Sequence, residues 1–161
     1  EQDEKAAGIA QMVKVLPTVR TTMSGRWTAH YAALLAEAYR KLGQTSEGLN
    51  VVTDALTNVQ QTDCRYYEAE LHRIKGELLL AQAAADEQQA EACFQNAIKI
   101  ARSQSAKSLE LRAAMSLSRL WQRQGKKEEA RTLLSEIYGW FTEGFDTADL
   151  KEAKALLKEL S

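Results

Sequence analysis

The chain has 161 residues with 21 Lys and Arg against 22 Asp and Glu, 45% hydrophobic residues and a single proline. That length supports one domain with its own core, needing neither metal nor disulfide, and a net charge of −1 argues against nucleic acid as the main ligand. Cys64 and Cys93 show no CxxC or Cys/His spacing, no run approaches the ~18 apolar residues of a membrane span, and the acidic start is unlike a signal peptide, so a cytoplasmic location without membrane contact is expected.

In chain order, Gly8, Met12 and Val15 have the spacing of a second helix of a hairpin, which implies a repeat entered halfway through and a chain cut from a larger protein. Pro17 would end or kink that helix near Leu16. Trp27, Tyr31, Leu34, Leu35, Ala38 and Leu42 then recur at spacings of three and four, predicting a helix with one apolar face that stops at Gly43. A partner helix follows, with Leu49, Val52, Leu56 and Val59 on one side.

The same two-part pattern returns. In the first helices a small slot passes from Ala36 to Gly76 to Ser118, at intervals of 40 and 42 residues. In the second helices a small residue precedes packing residues four and seven positions on: Gly48, Val52, Ala55; Ala90, Phe94, Ala97; Ala130, Leu134, Ile137. Small residues at fixed slots let two helices approach closely. Near the C-terminus Asp146 and Asp149 predict capping of a last helix running to about Leu160, with Phe145 and Leu150 as a hydrophobic staple.

These slots resemble those of tetratricopeptide repeats, with a period longer than the ~34 residues of the commonest unit. The resemblance implies an all-α fold: a right-handed α-solenoid of antiparallel hairpins with a C-terminal capping helix. Its parts are a partial leading repeat over 1–24, hairpins over 25–63, 64–106 and 107–144, and a cap over 145–161. Further stretches, Glu70 to Leu80, Ala106 to Arg112 and Tyr138 to Lys151, resemble the C-terminal repeat region of bacterial multidomain proteins that join a class III nucleotidyl cyclase, or another signalling head, to an AAA-like ATPase. That likeness implies a non-catalytic tail, any cyclase or ATPase activity lying in other domains; the sequence contains no GxxxxGK[ST] phosphate loop.

No catalytic, cofactor-binding or metal-binding residues are expected. His30 and His72 stand 42 residues apart without ligand spacing, Cys93 reads as a small core residue, Cys64 lies in a connection, and Trp121, Trp140 and Phe141 read as core and cap packing. The charge pattern is more informative. Between Lys99 and Lys127 eight cations face one anion, Glu110, and Arg112, Arg119 and Arg123 fall within about 40° of one another on a helical wheel.

The tetratricopeptide likeness places first-helix residues along a concave groove. The candidates are His30, Glu37 and Lys41 from hairpin one, Glu70, Arg73 and Glu77 from hairpin two, and Arg112, Arg119 and Arg123 from hairpin three. The asparagines of that family's carboxylate-binding groove have no counterpart here. Two readings stand side by side: the arginines hold an acidic segment of a protein partner or of other domains of the same chain, or they form a solvated face with internal ion pairs to hairpin two. Self-association as a homodimer through exposed repeat ends or the terminal helix is a further alternative.

Overall fold

A computed structural model describes residues 25–62 and 65–161, together with Ala7, Gly8, Ala10, Gln11 and Lys14, which are helical and exposed. The remainder of the leading repeat, with Met12, Val15 and Pro17, lies outside the described residues, as do Cys64 and the side chain of Trp27. The described residues form helices and connections without a strand. The helices are α1 (Gly25–Lys41), α2 (Thr45–Thr62), α3 (Glu68–Leu80), α4 (Glu87–Ser103), α5 (Lys107–Arg123), α6 (Lys127–Tyr138) and α7 (Ala148–Glu159).

Each helix packs on the next, and α1 also meets α3, α3 meets α5 and α5 meets α7. No other helix pair in this set touches. The odd-numbered helices therefore make one continuous layer, and α2, α4 and α6 back it from the other side. The small slots of the three hairpins are buried: Ala36, Gly76 and Ser118 in the first layer, Gly48, Ala90 and Ala130 in the second; Gly8, the slot of the leading repeat, is exposed. Ser118 Oγ donates to Ala130 O at 3.1 Å, a bond that requires the two backbones to lie close. Val52, Phe94 and Leu134 are fully covered one turn further on.

Three of the turns are built alike. Gly43, Ser105 and Gly125 adopt φ of 73°, 54° and 80°, and each helix end is closed by a pair of backbone bonds across the left-handed residue. After α1 these run from Gln44 N to Tyr39 O at 3.0 Å and from Gly43 N to Arg40 O at 3.1 Å. Such a closure satisfies carbonyls that a helix end leaves unpaired. The three-residue connections then force each following helix back along its predecessor.

Four expectations are corrected here. The face of α1 splits: Leu35 is buried, whereas Tyr31 and Leu34 are exposed, because α3 and α2 cover only one flank of the first described helix. The N-cap of α7 is Thr147, whose hydroxyl donates back to Gly144 O at 2.7 Å, so Asp146 does not cap it. Leu150 is buried but Phe145 is half exposed against Tyr138, which leaves no staple. Trp140 also stands out of the core, with 59% of its surface exposed. The outer side of α7 carries exposed Lys151, Glu152, Lys154, Lys158 and Glu159.

Candidate functional site

The first-layer helices carry all nine residues expected along the groove. Arg73 and Glu70 form a bidentate pair one turn apart on α3, with N–O distances of 3.0 and 2.9 Å, and both are buried. Around that pair charge extends in both directions across the layer. Arg73 reaches Glu37 of α1 at 4.0 Å and Glu77 at 3.7 Å, while Arg112 of α5 reaches Glu70 at 3.0 Å and Asp149 of α7 at 3.9 Å. Glu77 accepts a further bond from Ser116 Oγ at 2.6 Å.

Burial and pairing pull the ionisation of these groups in opposite directions. Burial raises the Glu37 carboxyl, but the hydrogen bonds from Arg40 and the charges of Arg40, Arg73 and Lys41 outweigh it and hold the carboxyl below its usual range. Burial likewise lowers Arg73, and the bonds and charge of Glu70, helped by Glu77 and Glu37, more than restore it. The centre of the expected groove is thus a closed ionic chain, Glu37–Arg73–Glu70–Arg112–Asp149. It belongs to the fold. A buried pair of this kind adds little net stability; the links that cross the layer run from Arg73 to Glu37 of α1 and from Arg112 of α5 to Glu70.

The other candidates separate from it. His30 stacks edge-on against Tyr67 with ring centroids 4.8 Å apart and sits near the opposite, N-terminal end of α1. Lys41 is exposed and 3.9 Å from Glu37. Arg119 pairs with Glu152 of α7. Arg123 is exposed and, among the described residues, forms no ion pair. Of the eight cations between Lys99 and Lys127, Arg102, Lys107, Arg112, Arg119 and Lys126 find carboxylates, which leaves Lys99, Arg123 and Lys127.

Arg119 and Arg123 come together with Arg40 around an open cleft of about 420 Å³ at the C-terminal ends of α1, α3, α5 and α7, where Glu77, Ser116 and Glu159 complete the rim. Arg40 and Glu159 were not among the sequence candidates. The signal for Arg40 was its place one turn after Glu37, whose carboxylate it grips at 2.8 and 3.1 Å. Guanidinium groups present planar, bidentate donors, so this rim suits a carboxylate or phosphate better than a neutral group.

His72 is half buried, and burial together with Lys75 lowers its pKa against the pull of Glu68, which favours the neutral ring. Burial raises the Cys93 thiol, as expected of a core residue. Among the described residues no group of three or more His, Cys, Asp or Glu is arranged to hold a metal, and no helix is long and apolar enough to cross a membrane. No protein-family model matches the chain, and no curated protein matches it.

Proposed function

We propose that the chain is a non-catalytic protein-interaction module, a tetratricopeptide-like right-handed solenoid that serves as the tail of a cytoplasmic bacterial signalling protein linked to a cyclase or an ATPase. Its work is to hold an acidic segment of a partner, or of another domain of its own protein, at the arginine cleft. The observation that carries this reading is Arg123, exposed and without a carboxylate partner among the described residues, beside Arg40 and Arg119 on one cleft. The buried slots, the packing of each helix on the next and the further contacts among the odd-numbered helices support the repeat architecture.

The test is titration of the whole chain with a short glutamate-rich peptide at low and high salt, for the native protein, Arg123→Glu and the Arg119→Glu, Arg123→Glu double variant. Binding that weakens with salt and is lost in the variants supports the cleft, because attraction between exposed charges is screened beyond ~8 Å at physiological ionic strength. Equal binding by all three proteins at both salts overturns it. A second reading, homodimerisation through the open side of α1, draws on exposed Tyr31 and Leu34. Sedimentation at several concentrations, with Leu34→Glu as the disrupting variant, separates the two.

A further inference from the structure

We infer that the opposite edge of the stack, at the N-terminal ends of the first-layer helices, is a second docking surface, for an extended peptide segment carrying a carboxylate beside an apolar side chain. It lies apart from the arginine cleft and does not depend on it. Tyr31, Tyr66 and Trp140 are 36%, 64% and 59% exposed, and all three belong to this edge. The rings run on from one another: Tyr31 meets His30 at 5.7 Å, His30 meets Tyr67 at 4.8 Å, and Tyr67 meets Tyr66 at 5.6 Å. Beyond Tyr66 opens a cavity of about 600 Å³, on whose far side the Lys107 ammonium stands 5.6 Å from the centre of the Trp140 ring. Exposed, contiguous aromatic surface of this kind marks interaction sites, and Tyr, Trp and Arg dominate the energetics of such sites.

The charge of the edge has a direction. Among the described residues the cavity is lined by the cations Arg65 and Lys107 and by no carboxylate. Each cation is paired, Arg65 with Glu68 at 2.7 Å and Lys107 with Glu110 at 2.8 Å, but the acid is the buried member both times. The Arg65 side chain is 58% exposed against 7% for Glu68, and that of Lys107 31% against 2% for Glu110. An approaching ligand therefore meets cations first, and an acid is the complement. The length of the stripe favours polypeptide over a small molecule. It passes from α1 across α3 and α5 to the connection before α7, and three steps of about 9 Å between packed helices amount to roughly 27 Å, the reach of about eight extended residues.

The experiment follows backbone and indole resonances of the isotope-labelled full chain during titration with short synthetic peptides: one containing adjacent Glu and Phe, and versions with Gln for Glu, Ala for Phe, and Lys for Glu. The Glu-Phe peptide is expected to move Tyr66, Ser105, Ser108 and the Trp140 indole. Its affinity should fall about tenfold in Tyr66→Ala, the loss of a modest hot spot, and similarly in Ser108→Glu, while Arg123→Glu leaves it unchanged. Ser108→Glu adds an acid to the first turn of α5, which favours the helix, so a matching unfolding midpoint separates lost binding from lost fold. The proposal fails if the Lys peptide binds as well, if inorganic phosphate alone moves the same residues as strongly, or if only the arginine cleft responds. It also fails if those resonances shift on simple dilution, which would assign the edge to a second copy of the chain.

Discussion

A β-carbon on Gly76 would stand 2.5 Å from Cε1 of Phe94, closer than two carbon atoms can approach. Glycine inside a helix ordinarily costs about 1 kcal/mol relative to alanine, so Gly76→Ala would normally stabilise. Here the sign is expected to reverse, because the ring is fully buried in α4 and cannot swing away; overpacking of this kind costs about 1 to 3 kcal/mol, and Gly76→Leu more. Urea unfolding of Gly76→Ala, alone and combined with Phe94→Leu, checks it. Partial recovery in the double variant is expected, and a stabilised Gly76→Ala would refute the contact.

Ser105, in the connection between the second and third hairpins, takes the left-handed turn position that Gly43 and Gly125 fill inside the first and third. A side chain there costs roughly 1 to 2 kcal/mol in the left-handed region, partly offset by the greater unfolded-state freedom of glycine. Ser105→Gly should therefore raise the unfolding midpoint by a net few tenths to about 1 kcal/mol of stability, and Gly43→Ala and Gly125→Ala should each lower it. The three measurements together test whether the turns are equivalent.

Glu110 is buried, which raises its carboxyl, yet bonds from Arg102 at 2.6 Å and Lys107 at 2.8 Å prevail and lower it; Glu37 behaves alike through Arg40. A carboxyl lowered in the folded state contributes stability in full above its unfolded value of about 4.3, lost as pH falls through the folded value. His72 is lowered too, so its contribution begins to fade in a separate window, just below about 6.5. Denaturation midpoints taken from about pH 7 to about pH 3 should show both losses. Glu110→Gln and Glu37→Gln should flatten the lower limb, and His72→Gln the upper.

What could be read without coordinates follows from geometry that the chain repeats. Close helix contact demands a small residue every time it occurs, so Ala36, Gly76 and Ser118 announced the hairpins, and all are buried. The shared wheel face of Arg112, Arg119 and Arg123 was also legible, but their fates were not. Glu70 and Arg73 were expected along an open groove; their burial comes with Glu37 on one side and Arg112, 42 residues later than Glu70, on the other, and that depends on how hairpins register. Trp140 and Phe145 were misplaced for a similar reason. They belong to the irregular connection before α7, where no period says which side faces inward.

The last prediction concerns what holds α7. Two kinds of contact compete: ion pairs from Arg119 to Glu152 and from Arg112 to Asp149, and burial of Leu150, Ala153, Leu156 and Leu160 against α5 and α6. The Arg119–Glu152 pair has side chains 42% and 54% exposed, and pairs so exposed are worth about 0 to 1 kcal/mol. Truncating a buried leucine removes about 2 to 5 kcal/mol. The helix has 12 residues, a length at which a free helix is marginal in water, below about 12 to 15 residues, so docking is what keeps it formed. Leu156→Ala should thus release α7, seen as rapid amide exchange over residues 150–159 and easier proteolysis before it, while Glu152→Ala leaves exchange nearly unchanged. If Glu152→Ala frees the helix as readily as Leu156→Ala, the cap is held electrostatically, and raising salt should then detach it in the native protein as well.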